Sequence, residues 1–202
     1  MNRREASKNE TRQLILRAAR RLFAQKGMED STIRDIAREA GVSPASVVVH
    51  FKSKTALLEE ALNRDIETAL SELTASMPED GEFLDRLMHL AKGFFRLYDH
   101  NRKLYRALIR HTILEPAGET PNMTKVSEIY LRFLSGMVEA GQARGIIRPE
   151  VDPSVAAGSI FSLYLGALIM FFRRPDMTVE QVAEALAAMT DQYLKGITQI
   201  EP

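Results

Sequence analysis

The sequence predicts an all-α protein of about nine helices, with an N-terminal helix-turn-helix unit and a larger helical body behind it. Three observations carry this. Apolar residues recur at spacings of three and four almost throughout, without sustained polar–apolar alternation. Helix-start signals recur in front of them: Thr32 with Asp35 three residues on, Ser43-Pro44, Asp152-Pro153, and Thr178 with Gln181. Gly27, Gly41 and the segment GIIRPEVDP at 145–153 break the periodicity where helices should stop.

In chain order, residues 1–8 read as a loose basic tail. A helix over about 10–26 carries the stripe Leu14, Ile15, Ala18, Leu22 and Phe23, and Gly27 ends it. STIRDIAREAG at 31–41 is a shorter helix, boxed by Thr32 and Asp35, with Ile33, Ile36, Ala37 and Ala40 inward. Gly41 suits a left-handed turn. Ser43 caps and Pro44 opens a third helix at about 44–50. Ser53 caps a fourth at 54–74. MPEDGE at 77–82 breaks the pattern, and the domain join is expected near it or inside the preceding helix. Helices follow at 83–99 and 101–112, then a loop, LEPAGETPN at 114–122. The cleanest stripe is 123–144, with Val126, Ile129, Tyr130, Phe133, Leu134, Met137 and Val138. An apolar helix over 153–173 and a last one from Thr178 to about Lys195 complete the chain.

The chain has 202 residues, 45% of them hydrophobic, and a formal net charge of zero. That charge is unevenly placed. Residues 1–60 hold 12 Lys/Arg against 8 Asp/Glu, and residues 61–202 hold 15 against 19. A basic front on an acidic body fits nucleic-acid contact by the front alone, or ordinary scatter. The absence of cysteine excludes disulfides, thiolate catalysis and Cys-ligated metals. The charged start, MNRREASKNETRQ, is not a signal peptide, and the expected location is cytoplasmic. The apolar run 155–172 is at the lower limit for a membrane span, but Gly158, Ser159, Ser162, Tyr164 and Gly166 interrupt it. It reads as a helix buried on most sides, with no membrane partner.

The front unit has the make-up of a DNA reader. AREAGVSPA supplies two helices joined by a short glycine turn, and the second can enter the major groove. Thr32 and Ser43 stand at helix starts, where a hydroxyl can act as a cap alone or also meet a phosphate oxygen. Lys54, in the first turn of the fourth helix, is either a solvated cation or a phosphate ligand. His50 is either a packing residue or a phosphate donor.

The stretch TRQLILRAARRLFAQKGMEDSTIRDIAREAGVSPASVVVHFKSKTALLEEAL closely resembles the tetracycline-repressor (TetR/AcrR) family of bacterial transcriptional regulators, densely over 11–62. IRDIAREAGVS together with HFKSKTALL carries the likeness. The resemblance implies a homodimer that binds double-stranded, palindromic operator DNA, and a body that takes a small-molecule effector lowering DNA affinity. It implies a DNA-binding domain over 9–56 and an effector and dimerisation domain over 57–198. The DNA side would comprise Thr32, Arg34, Ser43, Pro44, Ala45, Ser46, Val48, Val49, His50 and Lys54, with Phe51 in the core. No cofactor and no metal is implied.

This chain departs from the family where tyrosine usually stands at Val48 and glycine often at Ala45. The helix 44–50 contains no Arg, Lys, Asn or Gln. Its Ala45, Val48 and Val49 methyls suit thymine methyls, so specificity should lean on apolar contact, water and DNA shape.

In the body, Phe94, Tyr98, Tyr105, His111, Tyr130 and Phe133 are candidates to line an effector cavity, with simple core packing as the alternative for each. The two closing helices suit a four-helix dimer interface through Phe161, Leu165, Leu168, Ile169, Leu186, Met189 and Tyr193. Burial within one chain is the alternative. An enzyme is not expected: the four histidines form no compact motif with carboxylates, and no glycine-rich phosphate loop occurs. The function expected is a ligand-responsive DNA-binding regulator, a repressor. The alternative is a helical interaction module with a degenerate DNA-binding domain.

Overall fold

The computed structural model describes residues 3–78 and 81–197. Among them are nine helices: α1 (Arg3–Lys26), α2 (Ile33–Ala40), α3 (Pro44–His50), α4 (Lys54–Ala75), α5 (Phe83–His100), α6 (Arg102–Thr112), α7 (Pro121–Ala143), α8 (Pro153–Arg173) and α9 (Val179–Ile197). Most ends fall within two residues of their sequence signals. The exception is the N-terminus, where the expected loose tail is helical from Arg3. Exposed residues 4–10 extend α1 beyond its buried face, which begins only at Ile15. Leu14, expected inward, is 36% exposed, and Ala19 is buried beside Ala18.

The caps form as written. Thr32 Oγ1 accepts from Asp35 N–H, and the Asp35 carboxylate accepts from Thr32 N–H. Ser53 Oγ accepts from Ala56 N–H, and Asp152 Oδ1 from Ser154 and Val155 N–H. Thr178 and Gln181 complete their box. Such caps stabilise a helix by about 1 kcal/mol each.

The chain forms two compact units. The first holds residues up to Glu67 and also Asn101–Thr124, so α6 and the loop after it join the helix-turn-helix. The expected domain limit at 56/57 lies one turn into α4, which continues in this unit to Glu67. Here α1 packs on α2 and α6, and α2 on α3. Ile15, Phe23, Ile36, Val47, Leu57, Leu58, Leu62 and Leu108 are fully buried. Asp65 on α4 joins three helices: Arg20 of α1 pairs with it, and the Tyr105 hydroxyl of α6 donates to it at 3.2 Å.

The second unit holds residues Thr68–His100 and those from Lys125 onward. In it α9 packs on both α5 and α8. The last part of α4 lies close to α5, where a Cβ at Gly93 would collide with the Leu73 side chain. Val138, Ile147 and Ala156 form a smaller core with Phe83, Val151 and Ile197. By length and composition α8 would suffice to cross a membrane, but its Ala156, Ile160, Ala167, Leu168 and Phe171 are buried in the unit.

Candidate nucleic-acid interface and aromatic cluster

The turn between α2 and α3 rests on Gly41, whose φ of 68° and ψ of 30° are left-handed. Gly41 N–H reaches Arg38 O, and Val42 N–H reaches Ala37 O at 2.9 Å. These bonds satisfy carbonyls that the helix end would leave open. The chain then restarts at Ser43, whose Oγ accepts from Ser46 N–H at 3.1 Å.

α3 is short and two-sided. Val47 is fully buried and Phe51 is 5% exposed, so both anchor it. Val48 and Val49 are 62% and 78% exposed. Ser43, Pro44 and Ala45 are exposed as well, and Ser46 is half-buried. Arg34 on α2 is exposed. The outward face is therefore the methyl-rich surface expected from the sequence.

Two expected DNA ligands, Thr32 and Lys54, are engaged within the protein, and a third, His50, is partly withdrawn from the surface. Both the Thr32 hydroxyl and its N–H donate to Asp35 Oδ2, at 2.8 and 3.2 Å. His50 is half-buried, and its Nδ1 is buried without a partner. Burial, then the Arg12 and Lys8 charges, pushes its pKa down. Lys54 turns inward: its ammonium donates to Met28 O at 2.9 Å, to Ser31 O at 3.1 Å and weakly to Glu29 O at 3.4 Å. An ammonium has three protons, so these carbonyls use them all. Lys54 thus closes the α1–α2 turn onto the start of α4. Lys52, two residues earlier, is exposed.

Arg12 on α1 has a role that sequence reading missed. Its Nη1 donates to His50 O at 2.9 Å, at the C-terminal end of α3. Its Nε donates to Glu60 Oε1 at 2.8 Å, and Nη2 pairs with the other carboxylate oxygen. Its guanidinium lies 4.5 Å from the Phe51 ring centroid. One side chain therefore fastens α1, the end of α3 and α4 together. The signal in the sequence was an arginine one turn before the buried stripe of α1, next to a helix lacking cations of its own.

The aromatic candidates separate. Phe94, Tyr98 and Tyr130 lie in the second unit, joined through Tyr164. Phe94 stacks on Tyr98 at 6.1 Å, and Tyr130 lies 5.7 Å from Tyr164 and 5.8 Å from Phe161. Phe133 is half-buried on α7. Tyr105 and His111 do not join them. They belong to the first unit, because α6 packs on α1: Tyr105 is buried against Asp65, and His111 Nε2 lies 2.8 Å from Glu29 Oε1. The His111 contact and the Arg110 charge hold the Glu29 carboxyl below its ordinary range.

The expected dimer residues also divide. Leu168 and Leu186 are 1% exposed, buried within their own chain by the packing of α8 on α9, so neither can face a partner. Ile169 is 48% exposed and Val155 66%. Leu165, Met189 and Tyr193 are half-buried, and Phe161 is half-buried over Tyr130 and Tyr164.

The family model described as bacterial regulatory proteins, tetR family, matches residues 15–61, from the buried face of α1 into α4. Over 197 residues the chain is 26% identical to YerO of Bacillus subtilis, named an uncharacterized helix-turn-helix transcriptional regulator, covering 95% of this chain and 67% of that protein. It is 24% identical over 188 residues to the transcriptional repressor KstR2 of Mycolicibacterium smegmatis, covering 92% and 89%. Among solved structures, NalD of Pseudomonas aeruginosa, the secondary repressor of the MexAB-OprM multidrug efflux pump, matches with a TM-score of 0.64 at 24% identity, over 96% of this chain and 100% of that one. That likeness extends the shared fold through both units. The front of the chain, with its glycine turn and two-sided α3, is thus similar to the tetR family of bacterial regulatory proteins over residues 15–61, and the helical body shares the fold of such regulators.

Proposed function

We propose that the protein is a cytoplasmic repressor that binds a palindromic operator as a homodimer and leaves it when a small molecule occupies the body. The observation that carries the DNA reading is the division of α3. Val47 and Phe51 fix it from within, while Ala45, Val48 and Val49 face out beside Ser43, Arg34 and Lys52. Backbone contacts come from Arg34, Ser43 and Lys52, and base contacts from the methyl face. Thr32 and Lys54 shape the unit that presents them.

The dimer reading rests on α8. Val155 and Ile169 are exposed, Leu165 is half-exposed, and Gly158 and Gly166 have open space where a Cβ would stand. Small and apolar residues on one exposed helical face allow close approach of a second copy. Two copies can set their α3 helices one DNA turn apart, about 34–36 Å. The repressor reading is supported by the names of KstR2 and NalD.

The test is selection of fragments from random duplex DNA by the purified protein at low salt. One palindromic site should emerge, lost on Val49→Glu with the thermal midpoint preserved. No enrichment would overturn the reading and favour a helical interaction module whose front domain no longer binds DNA.

A further inference from the structure

Three tyrosine hydroxyls enter the interior of the second unit. Tyr164 OH donates to Tyr98 OH at 3.4 Å. The third, on Tyr130, is buried and has no hydrogen-bond partner. Tyr130 is only 6% exposed, and its ring lies 5.7 Å from that of Tyr164. A phenol proton sealed in an apolar interior has lost water and gained nothing in return. Tyrosine is a poor choice for such a position unless something meets its hydroxyl, since phenylalanine would fill the same space.

The surroundings restrict what that something can be. Among the described residues of this unit, the buried polar residues besides the tyrosines reduce to Thr190. Among those described residues no lysine, arginine, histidine, aspartate or glutamate is buried as a whole, although the Nε of half-buried Arg86 and Arg148 and the Oγ1 of Thr190 are buried without a partner. A carboxylate placed at Tyr130 would be desolvated with no fully buried cation to pair with it. A quaternary ammonium would enter with no buried carboxylate beside it. The rings around the site are tilted against one another, with Phe95–Tyr164, Phe95–Phe171, Tyr98–Phe172 and Tyr130–Tyr164 centroids 5.4–6.0 Å apart. Burial pushes all three phenols above their ordinary pKa, so they stay protonated and neutral.

We propose that the Tyr130 hydroxyl is the polar anchor of the effector site, and that the effector is an uncharged, mainly apolar molecule presenting one acceptor oxygen, as a ketone or ester does. This rests on the ligand-responsive reading above. The oxygen accepts the Tyr130 proton, and the apolar remainder lies against the Phe94, Phe161 and Tyr164 rings. Binding then relieves an unmet hydrogen bond that the free protein carries.

The experiment uses matched probes on the full chain: the methyl ester, the free carboxylate and the trimethylammonium derivative of an octyl and of a phenylpropyl skeleton. Affinity is read by thermal shift and calorimetry without DNA, and release of operator DNA is measured separately. The esters should bind at least tenfold more tightly than the charged members. Tyr130→Phe should weaken the ester about tenfold, the loss of one buried hydrogen bond, while leaving the ligand-free thermal midpoint equal or higher. Three results would overturn the proposal: a charged probe binding best, no binding by any ester, or Tyr130→Phe lowering the free midpoint without changing ester affinity. The last would mean that the hydroxyl is satisfied in the free protein. Ester binding without DNA release would leave the site assignment standing and remove the regulatory reading instead.

Discussion

The Glu59 carboxylate on α4 accepts from the backbone N–H of Met123, in the first turn of α7, at 2.8 Å. α7 is thus capped by another helix. The next residue, Glu60, holds Arg12, which in turn holds the last carbonyl of α3. Two adjacent carboxylates on α4 therefore hold the start of α7 and, through Arg12, the end of α3.

Glu59 gives the first prediction. It is 2% exposed, and burial raises its pKa above the ordinary 4.5, against the lowering by the Met123 and Asn122 N–H groups, with Glu60 raising it further. The folded state then holds the proton more tightly than the unfolded one. Its stabilising contribution is full below about pH 4.5 and is lost as pH rises through the folded value. In Glu59→Gln that slope disappears. The thermal midpoint of the native protein relative to Glu59→Gln should therefore fall as pH rises above 4.5, and a constant difference would contradict the shift. Glu59→Ala should cost about 1 kcal/mol through the lost cap, with faster amide exchange at Met123.

Arg12 gives the second. Both ion-pair partners are about a third exposed, so solvent screening leaves Arg12→Met costing only about 1 kcal/mol of stability. DNA affinity should fall several-fold because α3 loses its C-terminal fastening. The dependence of affinity on salt should stay unchanged, since Arg12 meets protein groups and not phosphate. A reduced salt slope would identify it as a phosphate ligand.

Lys52 and Lys54 should behave oppositely. Lys52→Ala is expected to weaken all DNA sequences alike and to reduce the salt slope by about 1. Lys54→Ala should lower the thermal midpoint, because three carbonyls lose their donor, and leave the slope intact. Titrations at several salt concentrations, paired with thermal melts, distinguish the two.

Gly41 and Gly93 should both resist alanine, for different reasons. At Gly41 a Cβ has open space but φ is 68°, which costs an L-residue about 1–2 kcal/mol. At Gly93 the Cβ would collide with the Leu73 side chain, an overpacking cost of about 1–3 kcal/mol. Leu73→Ala should rescue Gly93→Ala and do nothing for Gly41→Ala in denaturant melts.

On α8 and α9, exposure sorts the variants. Ile169→Glu and Val155→Glu should yield monomers by analytical ultracentrifugation with little change in helicity. Leu168→Ala and Leu186→Ala should instead lower stability by about 2–5 kcal/mol as core truncations. Dimers persisting through both charge substitutions would place the partner elsewhere.

Much of this was legible before any coordinates. Helix ends were readable wherever a cap was local, as at Thr32–Asp35, Ser43, Asp152 and Thr178, because the signal and its partner lie within three residues. The outward face of α3 was readable for the same reason. What stayed hidden depended on neighbours far along the chain. Tyr105 and His111 carry no mark that sends α6 to the first unit; that follows from Asp65 and Glu29, about 40 and 82 residues away. Lys54 has the same composition whether it meets a phosphate or three carbonyls. Leu168 and Leu186 lie on helices apolar nearly all round, where periodicity cannot say which side a partner takes.

The two exposed valines of α3 carry a consequence for the chemistry of the genome they would scan. A valine methyl senses the bulk at C5 of a pyrimidine and is indifferent to the exocyclic amine or oxygen beside it. 5-Methylcytosine offers the same bulk as thymine in the major groove. On the proposed reading, a surface built on Val48 and Val49 would place methylated cytosine closer to thymine than to its own parent base, and the methylation of a promoter would become part of the address.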